Sequence, residues 1–343
     1  MVTIKEIAKA VGVSSATVSR VLNFDATLSV APSTRQAIIE TAEALNYATP
    51  RARKSAAQQG LSKIALVHFL RPEQVLVDPY YVGVRLGIES RCQALKIETV
   101  RVYHTDSMPD PTLLQGASGV IAIGRHDDAE VDWLRRHGRH VVFADFSPSS
   151  DEMDSVQCDL EMATRKLLQS LTQMGYRRIA FAGWIDRYNG IVRALPERRC
   201  RAYMQWMSEV GTFDERLCLT EDNTEESGYR LTRAILAEPT RPDAIITGND
   251  NMAVGAYRAV HDLGLSIPDD IAIASFNDIS VAQFLSPPLS TVRLPSEEIG
   301  ETAVELLLER MAGRELAKRI TLATKPIWRA STRHPIPAPM AAG

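Results

Sequence analysis

The sequence lacks the features that mark membrane proteins, disulfide-stabilised proteins and metalloproteins. No apolar run approaches the roughly 20 residues of a membrane-spanning helix, and the chain starts with the pattern of a capped helix instead of a signal peptide. Four cysteines are scattered without metal-ligand spacing, at Cys92, Cys158, Cys200 and Cys218. We therefore expect a cytoplasmic protein with reduced thiols and no membrane partner.

Common enzyme motifs are absent too. The sequence has no GxxxxGK phosphate loop, no G-x-S-x-G nucleophile elbow and no pair of histidines at metal spacing. The seven histidines are dispersed, and His104, His126 and His261 are predicted to be surface or capping residues. We expect no enzymatic activity, no cofactor and no metal ion.

Charge is unevenly distributed along the chain. Its 343 residues carry a formal net charge of −3, which by itself argues against a nucleic-acid partner. Residues 1–60, however, hold seven basic and four acidic side chains. This part therefore has a net charge of +3, and the remainder of the chain has a net charge of −6. A basic segment on an acidic body concentrates the attraction for phosphate in that segment. The length suits two or three domains.

The first 23 residues have the pattern of two short helices joined by a tight turn. In "TIKEIAKAVG", Thr3 and Glu6 are spaced as a capping box, and apolar residues recur at helical spacing up to a glycine. Ser14 is placed to cap a second helix, with Val13 and Val18 spaced as a hydrophobic staple. The pattern is that of a helix-turn-helix, although such helix pairs also occur as purely structural elements.

The second helix, in "VSSATVSRVLN", carries small side chains on its outer face. A helix that enters the major groove must bring its N-terminal residues close to the base edges, and bulky side chains would hold it away. Hydroxyl groups can bond bases or phosphates, the Ala16 methyl can contact a thymine methyl, and the Arg20 fork suits guanine. The predicted DNA-contacting residues of this helix are Ser14, Ser15, Ala16, Thr17, Arg20 and Asn23.

A third helix is predicted from about Pro32 through Leu45, which completes an all-α headpiece of residues 1–46. The next stretch, "YATPRARKSAAQQGLS", is polar and basic, and its composition alone is that of a flexible linker over residues 47–61. From Lys63 onward, apolar strands such as "KIALVHFL", "GVIAIG" and "IAIASFN" alternate with amphipathic helices. This alternation predicts parallel sheets that are covered by helices on both faces.

These segments together resemble the LacI/GalR family of bacterial repressors. The headpiece "TIKEIAKAVGVSSATVSRVLN" carries the most specific motif, and "DPYY", "GNDNMAVGAYRAV", "IPDDIAIASFND" and "PPLSTVRLPSEEIG" continue the family pattern. The resemblance covers about residues 2–333. Within the family, "DPYY" and the short stretch between Tyr103 and Gly119 are most similar to the branch that represses an evolved β-galactosidase operon.

The resemblance implies a body of two lobes like those of periplasmic sugar-binding proteins. We expect lobes at residues 62–157 with 290–319 and at residues 158–289 with 320–333, and a flexible tail at residues 334–343. Open α/β sheets bind ligands beyond the carboxyl ends of their strands. The predicted ligand-binding residues in or near such places are Asp78, Tyr80, Asp145, Arg199, Asn249 and Asn277. Asp and Asn at strand ends also serve as ordinary caps, and Arg199 as a surface ion-pair partner.

Two positions depart from the family pattern. Asn277 stands where relatives often have aspartate, which keeps hydrogen bonding but changes the preference among hydroxyl groups. In this family the linker forms a hinge helix on specific DNA, pairs with its twin and enters the minor groove, where a leucine pries open a base step. Ser55 replaces that leucine, and the predicted hinge contacts to DNA are Arg51, Arg53, Lys54 and Ser55.

The leading hypothesis is a dimeric repressor that binds a pseudo-palindromic operator in double-stranded DNA and releases it when a sugar effector closes the cleft. The dimer is expected because "HPIPAPMAAG" contains no leucine heptad of the kind that tetrameric relatives carry. One alternative is the same architecture with a purine-like effector or co-repressor. Another is a sugar-binding transport protein, which would share the body but not the headpiece.

Overall fold

The computed structural model describes residues 4–22, 30–44, 63–69, 78–103, 108–185, 187–188, 191–192 and 196–333. The chain divides between Ser62 and Lys63 into an N-terminal unit and a larger body. The predicted linker (47–61) and tail (334–343) lie outside the described residues. Within those residues, no helix is both long enough and apolar enough to cross a membrane.

The N-terminal unit contains the three predicted helices, α1 (Ile4–Val11), α2 (Ser15–Leu22) and α3 (Pro32–Ala44). Gly12 adopts a φ of +71° after α1, a left-handed conformation that glycine takes without strain. The Ser14 Oγ accepts the Thr17 N–H at 3.0 Å and so caps α2. Small apolar side chains from all three helices form one core, namely Ile7, Ala8, Val18, Val21, Ile38 and Ala42. The predicted capping box involves Thr3, which lies outside the described residues.

The first lobe of the body is built on a sheet of six parallel strands. These are β1 (Lys63–His68), β2 (Glu98–Tyr103), β3 (Gly119–Ile123), β4 (Val141–Ala144), β5 (Asp154–Cys158) and β13 (Arg319–Leu322). Their order in the sheet is β13-β5-β4-β3-β1-β2. Its helices are α4 (Pro79–Ala94), α5 (Asp128–His137) and α10 (Ser296–Met311).

The second lobe has the same construction. Its strands are β6 (Ile179–Trp184), β9 (Cys218–Glu221), β10 (Ala244–Thr247), β11 (Ala272–Asn277), β12 (Ser290–Arg293) and β14 (Lys325–Ile327). They lie in the order β14-β12-β11-β10-β6-β9, and only β14 runs antiparallel to its neighbour. The helices are α6 (Leu160–Gln173), α7 (Arg198–Glu209), α8 (Glu225–Leu236) and α9 (Asp250–Asp262). A short hairpin joins β7 (Arg187–Tyr188) to β8 (Ile191–Val192).

The chain crosses between the lobes after β5, after β12 and between β13 and β14. The crossing predicted near residue 290 falls later, because Ser290–Arg293 still pairs with β11 of the second sheet. The boundary predicted at residue 320 also moves, since Arg319–Leu322 pairs with β5 of the first sheet. Both strands are only four residues long, and their own sequences do not specify which sheet they join.

Each lobe contains one helix crossing that depends on glycine. In the first lobe, a Cβ on Gly300 of α10 would overlap the carbonyl oxygen of Val84 in α4. In the second lobe, a Cβ on Gly255 of α9 would overlap the carbonyl oxygen of Glu225 in α8. Interiors packed at crystal-like density do not absorb such an added atom without moving the backbone. These glycines therefore fix how closely the helices approach.

Candidate functional site

The outer face of α2 carries the residues predicted to contact DNA. Ser14, Ala16 and Arg20 are exposed, and Ser15 and Thr17 are half-buried. The Ser14 hydroxyl caps the helix and also lies 2.8 Å from the Thr17 hydroxyl, so its structural role is established independently of any base contact. The other predicted DNA contacts, Asn23, Arg51, Arg53, Lys54 and Ser55, lie outside the described residues.

In the body, three of the predicted ligand-binding residues lie at the carboxyl ends of strands of the two sheets. Asp145 follows β4, Asn249 follows β10, and Asn277 is the last residue of β11. The two lobes approach each other here, because Arg198 Nη1 of the second lobe donates to Gln157 Oε1 of the first lobe at 2.9 Å. This is the place at which open α/β sheets bind ligands.

Asp145 is held by two tyrosines of the first lobe. Its Oδ1 accepts the Tyr80 hydroxyl at 2.8 Å, and its Oδ2 accepts the Tyr81 hydroxyl at 2.9 Å. The backbone of Asp145 is left-handed, with a φ of +64°, an uncommon conformation for a residue with a side chain. Burial raises the pKa of Asp145, while attraction to Arg198 and the two tyrosine hydrogen bonds oppose that rise. Each carboxylate oxygen retains a second lone pair with which to accept a ligand hydroxyl.

Asp78 serves first as a helix cap. Its Oδ1 accepts the Tyr80 N–H at 3.1 Å at the start of α4, where Pro79 occupies the first helical position. Burial raises its pKa, and the backbone hydrogen bonds at the helix start oppose that effect. Capping thus orients α4 so that Tyr80 and Tyr81 reach Asp145. The alternative interpretation of Asp78 as an ordinary cap fits its contacts.

Arg199 is the most firmly held candidate. It is 6% exposed, and its guanidinium carbon lies 4.2 Å from the centroid of the Trp184 ring and 5.5 Å from that of Phe276. Its Nε donates to Glu197 Oε1 at 3.1 Å, while Glu197 Oε2 accepts the Arg199 backbone N–H at 2.8 Å. Burial alone would raise the pKa of Glu197, but Arg199 holds it below its usual value. Arg199 does form an ion pair, but in a buried position, so the surface location in the predicted alternative is wrong.

Asn249 caps α9 and is 4% exposed. Its Oδ1 accepts the Met252 N–H at 2.9 Å, which leaves the amide NH2 as the end of the side chain that can donate to a ligand. The adjacent Gly248 has no side chain, and this allows the Trp184 ring to approach closely. A Cβ at this position would lie 2.6 Å from that ring. Gly248, the residue before Asn249, thus packs against the ring on which Arg199 lies.

Asn277 lies in a strained turn that its neighbours fix. It has a φ of +108°, and the following Asp278 has a φ of +58°. The Asp278 carboxylate accepts from Arg293 Nε at 2.7 Å and from Arg329 Nη2 at 2.7 Å. Buried Asp250 holds the next turn, since its Oδ2 accepts the Ile279 N–H at 2.9 Å. These contacts position the Asn277 side chain at the end of β11.

Sequence reasoning missed Tyr81, Trp184 and Glu197. Tyr81 had a visible signal, since it lies beside Tyr80 in "DPYY", but its position at the first helical turn did not indicate a hydrogen bond to Asp145. Glu197 lies two residues before Arg199 and caps α7, so its contact with Arg199 is local, whereas Trp184 becomes a partner of Arg199 only through tertiary packing. One histidine prediction also fails, because His126 is 3% exposed and its Nδ1 lies 3.4 Å from Glu130 Oε2. His261 is exposed as predicted, and His104 lies outside the described residues.

The site holds carboxylates, amides, phenols and one arginine. In the part of the chain that the structure describes, no three His, Cys, Asp or Glu side chains form a group that could hold a metal ion. The arrangement therefore combines charged hydrogen-bonding groups with aromatic ring faces. Such a cleft can bond several hydroxyl groups at once, and a wrong ligand would leave buried polar groups unpaired.

Comparison with known proteins identifies relatives for both units. The profile of bacterial regulatory proteins of the lacI family matches residues 3–50, and that of the periplasmic binding protein-like domain matches residues 168–332. The HTH-type transcriptional repressor MelR of Bacillus subtilis (strain 168) is 37% identical over 340 residues, covering 96% of this chain and 97% of MelR.

A second relative and a solved structure extend this comparison. The HTH-type transcriptional regulator GalR of Lacticaseibacillus casei is 34% identical over 335 residues, covering 97% of this chain and 100% of GalR. The structure of the transcriptional regulator CelR in complex with cellobiose is similar, with a TM-score of 0.67 and 25% identity. That match covers 96% of this chain and 100% of CelR.

Proposed function

Because the chain belongs to the LacI family of bacterial regulatory proteins, we propose that it represses sugar-utilisation genes and releases its operator when a sugar binds between the lobes. The headpiece reads a pseudo-palindromic site in double-stranded DNA through α2, and two copies of the chain bind together. The protein acts in the cytoplasm, and no catalytic step belongs to this function. A galactoside is the proposed effector, in keeping with the predicted branch of the family.

The observation that carries the sugar proposal is the buried and fixed position of the Arg199 guanidinium. Its guanidinium lies on the Trp184 ring and is fixed by Glu197, so its remaining donors have a defined direction in a nearly dry site. Asp145, at the end of β4 in the other lobe, has acceptor capacity left on both oxygens beside its two tyrosine hydrogen bonds. Donors on one side and acceptors on the other suit the hydroxyl groups of a pyranose, each of which donates and accepts. CelR, whose structure contains cellobiose, supports a sugar effector by analogy, and MelR and GalR support transcriptional regulation.

A purine-like effector is the second candidate. The ring faces of Trp184 and Tyr80 favour it, because planar bases stack on aromatic side chains. The buried ionic pair of Arg199 and Glu197 favours a ligand with many hydroxyl groups instead. A transport function is disfavoured by the headpiece, which a periplasmic binding protein does not need.

Operator release tests the function directly. A labelled fragment from upstream of the gene would be titrated with the protein, with and without galactose, lactose, melibiose, cellobiose or guanine. We expect a shifted complex that one galactoside dissolves and guanine leaves intact. If the protein shifts no upstream or neighbouring fragment, the proposed repressor function is wrong. If guanine releases the DNA, the effector is a purine and not a sugar.

Arg20 provides the matched test of DNA reading. Replacing exposed Arg20 with alanine should cost about 1–3 kcal/mol on the operator, because a bidentate contact to guanine is lost. Binding to non-specific DNA should weaken much less. Competition titrations at fixed salt measure both quantities, and equal losses on the two DNAs would show that Arg20 contacts phosphate.

A further inference from the structure

Two consecutive arginines at the start of α7 make contacts to different lobes. Arg199 contacts Glu197, Trp184 and Phe276, which all belong to its own lobe. Arg198 turns the other way, and its Nη1 donates to Gln157 Oε1 at 2.9 Å. Gln157 belongs to β5 of the first lobe, in a partly buried position. Arg198 and Arg199, which are adjacent in the first turn of α7, thus contact different lobes.

The charge of Arg198 also acts on the first lobe. Among the groups that lower the pKa of Asp145, the attraction of Arg198 is the strongest and exceeds that of Arg199. The ionisable groups around Asp145 are Asp78, Tyr80, Tyr81, Cys158, Arg198 and Arg199, and Arg125 lies close enough to act electrostatically on Tyr81 and Glu197. The tyrosines donate hydrogen bonds without charge, and Arg198 and Arg199 supply positive charge that favours an ionised Asp145.

We propose that Arg198 is a positioning residue that connects the two lobes. It sets the distance between the cleft wall of the first lobe, which carries Asp145, and the cleft wall of the second lobe, which carries Arg199, and it thereby tunes effector affinity. This role rests on the proposed function, in which the effector binds between those two walls. Arg198 does not itself need to touch the effector. Because a charge-assisted hydrogen bond between elements of different lobes depends on their mutual orientation, any effector that selects one orientation is coupled to it.

The inter-lobe bond can be measured without any effector. A double-mutant cycle on the free protein would combine Arg198→Gln with Gln157→Leu and follow unfolding in urea. If the two side chains interact, the double variant loses less stability than the two single variants together, by about fivefold or more in the unfolding equilibrium constant. Additive losses would overturn the proposal. This result is independent of whether a sugar is the effector.

The effect on binding is measured by calorimetry with lactose and galactose as probes. We expect Arg198→Gln to weaken the sugar that binds the wild-type protein by about tenfold, which is about 1.4 kcal/mol. Arg198→Lys should recover part of the loss, since it restores the charge without the planar fork. If neither sugar binds the wild-type protein, the galactoside assignment fails while the cycle still decides the role of Arg198.

Arg201→Gln is the matched control. Arg201 lies on the same helix and pairs with Glu161 of the same lobe, so its removal takes away one positive charge without breaking an inter-lobe bond. It should leave probe affinity within twofold of wild type. A separate readout is the pH profile, because loss of Arg198 should move the acid limb of sugar binding to higher pH as Asp145 loses its stabilising charge. Equal losses in both variants, or an unmoved acid limb, would overturn the proposal.

Discussion

At the residue scale, Arg199 makes two kinds of contact that only a guanidinium combines. It stacks on Trp184 and donates to Glu197, whereas the lysine ammonium has no planar face and a single nitrogen. We therefore predict that Arg199→Lys keeps the fold, since Glu197 retains a positive partner, but weakens effector binding by at least about tenfold. Calorimetry with the active sugar measures this loss. Normal sugar affinity in a folded lysine variant would remove Arg199 from the site.

Operator binding of the same variant serves as its control. The change lies in the body and leaves the helices of the headpiece untouched, so DNA affinity in the absence of sugar should stay at the wild-type value. The variant should then remain on the operator at sugar concentrations that release the wild-type protein. Reduced DNA affinity without sugar would instead indicate that Arg199 supports the structure of the body.

Asp250 gives the body a pH-dependent stability. Burial raises its pKa to about 7, although Thr291 and the Ile279 N–H donate hydrogen bonds to it. The unfolded chain has the ordinary value of 3.8, so unfolding releases a proton between about pH 4 and 7. The stability that protonation contributes is fully present below about pH 4 and is lost as the pH rises through about 7. We predict that Asp250→Asn flattens this dependence.

Urea unfolding at pH 5 and pH 8 measures the effect. Relative to the wild-type protein, the asparagine variant should lose less stability between the two values, by on the order of a few kcal/mol at most. The variant also forfeits one accepted hydrogen bond, which lowers its stability at both pH values and cancels in the comparison. Parallel curves for the two proteins would show that Asp250 does not titrate in this range.

At the scale of elements, the sequence predicted those helices and strands whose signals are local. Gly12 marks the end of α1, Ser14 capping marks the start of α2, and continuous apolar runs define β1, β3 and β11. The assignment of β12 and β13 to the lobes could not be predicted, because pairing partners for four-residue strands are chosen by tertiary packing. The same limit applies to Trp184, whose relation to Arg199 arises only when α7 packs beside β6.

The crossing of α8 and α9 makes Gly255 a sensitive position. A methyl group there would overlap the Glu225 carbonyl oxygen and crowd the Tyr229 backbone nitrogen, so the two helices must separate. We predict that Gly255→Ala lowers the free energy of unfolding by about 1–3 kcal/mol in spite of the better helix propensity of alanine. Arg258→Ala, at an exposed position of the same helix, is the control and should change little. Unchanged thermal unfolding of the Gly255 variant would contradict the packing described for the second lobe.

At the scale of the whole molecule, the size of the headpiece determines how DNA must be bound. Among the headpiece residues that the structure describes, the buried core consists of six apolar side chains, and α2 spans only Ser15–Leu22. A single headpiece therefore offers few base contacts, and two copies must share one operator to bind it tightly. Once the first headpiece of a dimer is bound, the second acts at a high effective concentration.

Binding should therefore depend strongly on both halves of the operator. Scrambling one half-site of the operator, at constant length and salt, should weaken binding at least about 100-fold, because the second headpiece retains only non-specific contacts. Fluorescence anisotropy with labelled duplexes measures the two affinities, and sedimentation at the same protein concentration reports the dimer. A duplex with both half-sites scrambled supplies the non-specific baseline. If the half-site duplex binds as tightly as the full operator, one headpiece suffices and the dimeric mode of recognition is wrong.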